Sequence, residues 1–404
     1  MIARTLASKV LALTREGRLE VVDGSWRRSF GPAGGDLRAT VTVHDSRRFW
    51  RALRRGSAEL ARAYADGAWD SDDMVAVVRI GAREMRRLDP LRAPFARLRN
   101  LASRIPRNTR EGARRHIAAH YDLGNDMFRL FLDETMTYSC AVFDSPDATL
   151  REAQEAKLDR VCRKLELTPD DHVVEIGTGW GSFALHAAGR YGCRVTTTTI
   201  SAEQHRVAVE RVREAGLEDR VTLLQQDYRD LRGRFDKLVS IEMIEAVGWQ
   251  YFDTFFRRCG RLLHSGGLML LQAITIDDRA FEIEKTSRSF IEELIFPAGC
   301  LPSVEVITRC VARVTDMRIL GLEDITAHYP ETLRRWRENF AASAERAAQL
   351  GYDRSFRRLW ELYLYWSEGG FRERRIGDVQ VLLAKPAYRG PAPAAVPVEA
   401  GVAA

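Results

Sequence analysis

Residues 173–181 read VVEIGTGWG, a short apolar run that ends on a glutamate and then passes through three glycines at alternate positions. Gly177, Gly179 and Gly181 remove side chains where a backbone must turn sharply or come close to a ligand, which suits the turn from a parallel strand into a helix. The surroundings agree with that reading. Thr149 and Glu152 form a capping box for a helix through about Leu165, ahead of the first strand. Further apolar runs follow at Val195–Ile200, Val221–Leu224, Phe235–Ile241 and Leu268–Thr275, separated by helical stretches such as Ala202–Ala215 and Tyr251–Leu263. Strands alternating with helices predict an α/β fold with a parallel, doubly wound, Rossmann-like sheet. Runs at Arg318–Ile325 and Val379–Lys385 would close it as a final pair.

Ahead of this pattern, Arg18–Val22 and Leu37–His44 alternate as strands and Ser46–Trp69 reads as helical, so residues 1–105 are expected to form a small α+β accessory domain. Pro106 and the RNTREG after it make a linker, and residues 106–390 are expected to form the catalytic domain. The chain from Pro386 is rich in Pro and Ala, and residues 391–404 are expected to be a disordered tail.

With 45% hydrophobic residues and 62 Lys+Arg against 56 Asp+Glu, the chain is neither disordered nor collagen-like. No apolar run reaches the ~18–20 residues of a bilayer-spanning helix, and charge interrupts the N-terminus before a secretory core can form. A cytoplasmic protein is expected. The six cysteines form no C-x-x-C pair and none sits near a histidine at zinc-finger spacing, so reduced thiols and no metal are expected. Charge is unevenly placed. Residues 79–115 carry 12 Arg against Glu84, Asp89 and Glu111, a net +9 in a chain whose total is +6. Interleaved Met85, Leu88, Leu91, Phe95, Leu98 and Leu101 recur at helical spacing, a pattern suited to a helix lying on an anionic membrane or packed on its own domain.

Several local features bear on chemistry. The G-x-G-x-G spacing differs from the dinucleotide fingerprint G-x-G-x-x-G and favours S-adenosylmethionine over NAD, although such turns also occur with no cofactor. The second strand ends Thr199-Ile200-Ser201 rather than on an acid, so hydroxyl and amide groups would meet the cofactor's polar edge. Asp227 and Tyr228 after the third strand are placed to hold adenine. IEMIEAVG after the fourth lacks the Asn/Asp-Pro-Pro-Tyr/Phe signature of nucleic-acid amino methyltransferases, which argues against a nucleic-acid partner.

Together with HYDLGNDMFRLFLDETMTYSCAVF (120–143), TISAEQ (199–204), QDYRDL (226–231), IFPAGCLPS (295–303) and HYPETLRRW (328–336), these segments resemble the cyclopropane-fatty-acid synthases, including the mycolic-acid-modifying methyltransferases, over roughly residues 110–386. The resemblance implies a class I SAM-dependent methyltransferase fold and one-carbon transfer to a cis double bond in the acyl chains of membrane phospholipids. An alkene has no proton to lose, so rate would come from proximity, alignment and stabilisation of a carbocation. Aromatic faces suit such a cation, and WELYLYW (360–366) is one source, though a buried core helix explains it too.

Closing a cyclopropane requires loss of a proton. In the family a bound bicarbonate takes it, and the resemblance places its cradle at Cys140, Glu245, Gln272, the backbone of Ile274, and Tyr329. Cofactor contacts implied likewise are Tyr138, Ser139, Gly177, Gly179, Thr199, Ser201, Gln204, Asp227 and Tyr228, with no metal. Individually, a buried Cys, a helix-capping Glu and a half-buried Tyr are ordinary; their co-occurrence carries the assignment. A homodimer peripheral to the inner face of the membrane is also implied. Two positions depart from the common pattern: Ala246 and Gln272 stand where histidines are usual. Glutamine donates a hydrogen bond but cannot take a proton, so proton loss from a chain carbon, giving a methylene or methyl branch, is the alternative product. Two other classes compete: a nucleic-acid methyltransferase using the basic segment, and a catalytically silent lipid-binding protein.

Overall fold

A computed structural model describes residues 2–102, 112, 124–287 and 289–390. The expected linker, apart from Gly112, and the expected tail over 391–404 lie outside the described residues. The chain divides into two compact units: Met1–Ile105 with Arg279–Pro297 and Leu333–Ile376, and Pro106–Asp278 with Ala298–Thr332 and Gly377–Ala404. One uninterrupted domain over 106–390 is therefore not what forms. The cause is long-range packing: the helix Arg354–Arg372 buries Trp360, Leu362 and Leu364 and lies against the helices Met74–Ala102 and Ser57–Ala65. WELYLYW is thus a core segment of the first unit, with Trp360 packed edge-on to Tyr363 at 5.1 Å.

Among the described residues, the first unit has a four-stranded sheet in the order β2-β1-β3-β4. Its strands are β1 (Arg18–Asp23), β2 (Trp26–Phe30), β3 (Arg38–Val43) and β4 (Trp69–Ser71). β1 and β3 are parallel, and β2 and β4 pair antiparallel at the edges. The stretch expected as one helix breaks in two at Gly56, whose φ of +105° no helix tolerates, giving Ser46–Arg55 and Ser57–Ala65.

Helix Met74–Ala102 carries the described part of the basic segment, and four of its arginines are answered by carboxylates of its own unit. Arg79 and Arg83 each donate to Glu373 at 2.6 Å, Arg87 pairs with Glu84, and Arg92 bridges Asp89 and Glu284 at 2.9 and 2.8 Å. Arg375 completes that last cluster, meeting both Asp89 and Glu284. Along the apolar face the sequence predicts, Met85 and Leu88 are half-buried. Asp89 is buried, while Leu91 and Phe95 are 69% and 75% exposed.

The second unit holds a seven-stranded sheet in the order β10-β11-β9-β8-β5-β6-β7. The strands are β5 (His172–Ile176), β6 (Arg194–Thr199), β7 (Val221–Gln225), β8 (Phe235–Ile241), β9 (Leu263–Ile276), β10 (Arg318–Asp324) and β11 (Ile376–Ala384). β5 to β9 pair in parallel, and β10 and β11 pair antiparallel, as the late apolar runs predict. Val173, Val195, Val221, Val239, Leu268 and Leu270 form a core with Leu158, Val161 and Phe183 from the helices Leu150–Lys164 and Ser182–Tyr191. Each such side chain contributes about 1.5–3 kcal/mol on burial. Thr149 and Glu152 cap the first of these helices reciprocally, as their spacing predicts. The chain winds from β5 outward through β6 and β7 and then returns to β8 and β9 on the other side. The reversal opens a crevice at the carboxyl ends of β5 and β8, where ligands bind in such sheets.

Candidate active site

Two turns meet at this crevice. After β5 the glycine loop adopts φ of +107° at Gly177 and +52° at Gly179. A side chain at Gly177 would come within 3.1 Å of Met243, which follows β8, whereas one at Gly179 would meet nothing within 4 Å. The loop therefore packs on one side and is open on the other, as a loop admitting a cofactor must be. Trp180 donates through Nε1 to Asn125 Oδ1 at 2.7 Å, and Asn125 donates to Glu203 at 3.0 Å, tying the helix Asn125–Arg129 to the loop. Tyr138 stands edge-on to Phe128 at 5.2 Å, and Phe128 lies 4.8 Å from Trp180.

The other expected cofactor contacts are partly engaged with one another. Thr199 Oγ1 donates to Gln204 Oε1 at 2.9 Å, and Ser201 caps the helix Ala202–Glu214 by accepting from Gln204 N. Asp227 accepts from Arg229 Nε at 2.8 Å and Nη2 at 2.7 Å, a bidentate pair. The Tyr228 hydroxyl is buried, without a hydrogen bond, and burial raises its pKa. Ser139 is buried and accepts from Lys157 Nζ at 2.7 Å.

The expected cradle residues do come together, around a group that sequence reasoning passed over. Among the described residues, three donors converge on Glu242, the residue after β8. Cys140 N and Gln272 Nε2 donate to Oε1, each at 2.8 Å, and the Tyr329 hydroxyl donates to Oε2 at 2.5 Å. It is the Cys140 amide that faces the site; its thiol lies 3.2 Å from Ala141 O, and burial, with Asp378 and Glu242 nearby, holds it well above the ordinary thiol range. Gln272 also donates to Asp378 Oδ2 at 3.0 Å and accepts from Gln380 at 3.0 Å. Glu245 accepts from Ile274 N at 2.6 Å, and its Oε2 is buried without a partner.

The cluster thus holds three carboxyl groups in little water. Burial, with Glu242 beside it, pushes Glu245 to about 8. Burial, with Glu242 and Glu245 beside it, holds Asp378 well above the usual carboxylate range. Lys157 is fully buried, and burial lowers its pKa against the pull of Glu242, Cys140 and Asp378. A bicarbonate does not fit this arrangement. The donors expected to orient it already serve Glu242, and a second anion would lie against further carboxyl groups. Glu242, Asp378 and Lys157 escaped the sequence reading; the available signal was an acid and a glutamine, Asp378 and Gln380, on one face of an otherwise apolar strand. Among the described residues no cluster of His, Cys, Asp and Glu is placed to hold a metal.

Glu175, at the end of β5, is also buried with Oε2 unpartnered, and burial pushes it up to about 8. Its folded-state pKa lies above its unfolded one, so the folded chain binds the extra proton between the two. Stability from this group is full below about pH 4.5 and is lost as pH rises toward about 8, by a few kcal/mol at most. Glu175→Gln should flatten that decline, measured as urea midpoints across the same pH window; an unchanged slope would refute the assignment.

The family model described as mycolic acid cyclopropane synthetase matches residues 108–381. The chain is 40% identical over 331 residues to a tuberculostearic acid methyltransferase of Mycobacterium tuberculosis, covering 80% of this chain and 77% of that one. It is 38% identical over 368 residues to the cyclopropane-fatty-acyl-phospholipid synthase of Escherichia coli, covering 88% and 90%. Among solved structures, a mycolic acid cyclopropane synthase complexed with SAH and CTAB matches with a TM-score of 0.63 at 32% identity, covering 67% of this chain and 98% of that one. The chain belongs to the mycolic acid cyclopropane synthetase family and is an S-adenosylmethionine-dependent enzyme that transfers one carbon to the double bonds of lipid chains.

Proposed function

We propose that the enzyme acts on cis-unsaturated acyl chains of phospholipids at a membrane surface and converts the double bond into a cyclopropane. The observation that carries this is the buried carboxyl cluster of Glu242, Glu245 and Asp378 at the crevice beside the glycine loop, a place that can receive a proton. S-adenosylmethionine supplies an electrophilic methyl group when bound. Gly177 and Gly179 would lie along it, with Tyr138, Ser139, Asp227 and Tyr228 the remaining residues proposed to hold it. Tyr138, Phe128 and Trp180 shield the loop from water with aromatic faces that tolerate positive charge. Thr199, Ser201 and Gln204 shape the neighbouring helix cap and so act through position. The exposed Leu91 and Phe95 supply an apolar contact for a bilayer. Among the described residues no helix is long and apolar enough to cross one.

Incubating the purified chain with methyl-labelled donor and vesicles of oleoyl phospholipid should place label in the fatty acids. Mass and NMR analysis should show a ring. Absence of label refutes the proposal; a methylene or methyl branch refutes its ring-closing step.

A further inference from the structure

The family's chemistry calls for a base at the end of the reaction, and the place for it is filled by the chain itself. Cys140 N, Gln272 Nε2 and Tyr329 Oη form a ring of donors of the kind that holds a small oxyanion, and the oxyanion they hold is the Glu242 carboxylate. We infer that Glu242 is the catalytic base for proton loss, a tethered carboxylate in the position that a diffusible bicarbonate would otherwise take. The inference rests on the ring-forming conversion proposed above.

Two further observations support it. The backbone at Glu242 has a φ of +46°, a left-handed conformation that non-glycine residues rarely adopt and that persists where the surroundings enforce it. Its amide is pinned across to Gln272 O at 2.9 Å, so the strained turn aims the side chain into the donor ring. The donors are also unequally shared. Of these three donors two bond Oε1 and only Tyr329 bonds Oε2, so Oε2 is the less engaged toward the ring, with Asp378 also close to the carboxyl group. In the step itself, a C–H bond of the added methyl group breaks. Its electron pair forms the bond to the electron-poor chain carbon that closes the ring. The proton goes to Glu242 Oε2 and on to water after product leaves, and no oxidant or reductant is needed.

Glycine takes a positive φ without strain, so Glu242→Gly empties the donor ring while leaving the turn intact. The test measures initial rates of methyl-label incorporation into oleoyl-phospholipid vesicles by the full chain, in buffer freed of carbon dioxide and in the same buffer with sodium bicarbonate. Donor binding is followed by calorimetry. The wild-type rate should be the same in both buffers. Glu242→Gly should lose about 10²–10⁴-fold in the depleted buffer, the range expected for removing a general base, with donor affinity retained and with part of the loss restored by bicarbonate. Glu242→Gln, whose amide still fills the ring, should lose as much and gain nothing from bicarbonate. A wild-type rate that climbs with bicarbonate, or a Glu242→Gly variant at full rate in the depleted buffer, overturns the inference. A wild-type chain that labels no lipid in either buffer overturns the one-carbon transfer and this inference with it.

Discussion

Replacing Gln272 by leucine should lower the rate of label incorporation into lipid by about 10²–10³-fold, the range seen when one preorganised donor is removed from a charged site. Gln272 is bonded to two carboxyl groups of the cluster. Its Nε2 reaches Glu242 and Asp378 at 2.8 and 3.0 Å, while its Oε1 is held by Gln380 at 3.0 Å. That pattern sets the amide's orientation, because only the nitrogen can face two carboxyl oxygens. Leucine is similar in size but donates nothing, so Glu242 and Asp378 would lose their common tether and move apart. Gln272 does not need to touch the lipid for this effect; it is a positioning residue. The loss should therefore appear in the turnover rate, with donor affinity by calorimetry nearly unchanged. Equal losses in both would point to a collapsed pocket and count against this role. Buried groups left without partners cost about 1–3 kcal/mol each, so a modest fall in the unfolding midpoint should accompany the loss.

The largest effect on stability should come from Arg375→Ala in the first unit, about 3–5 kcal/mol. Arg375 is buried and meets both Asp89 and Glu284, and Arg92 closes the square at 2.9 and 2.8 Å. Burial alone would push Glu284 up, yet Arg92 and Arg375 hold it below the usual carboxylate range. With Arg375 gone, two carboxylates share a single guanidinium in a poorly hydrated place, and breaking one side of a buried pair costs more than the pair contributes. The expected readout is a lower urea midpoint for the first unit, followed by tryptophan fluorescence. A shift under about 1 kcal/mol would show that water reaches the cluster and that it behaves as a surface pair.

Much of the second unit is legible in the residue order because β5, β8 and β9 hold apolar runs, β5 runs into the glycine loop, and cap residues mark the helices between strands. β2 is not legible: WRRSF places two arginines where alternation should show one face apolar. The division of the chain into two units escapes for another reason. Segments 279–297 and 333–376 look like continuations of the catalytic pattern, and only contacts between residues hundreds of positions apart assign them elsewhere. The site divides in the same way. Glu245, Gln272, Ile274, Cys140 and Tyr329 come from a resemblance carried by whole segments. Glu242 lies three residues before Glu245 in the same segment, but nothing in its spacing reveals a left-handed backbone or the three donors around its carboxylate. Lys157 sits in EAQEAKLDR, which reads as a solvated helical face, and it is fully buried.

The left-handed backbone after β8 has an evolutionary consequence. The residue type most at ease there is glycine, and glycine and glutamate codons differ by one nucleotide. A lineage could exchange a built-in proton acceptor for a dissolved one through a single mutation, with no remodelling of the strand. Dependence on ambient carbonate would then be an inherited setting of one position.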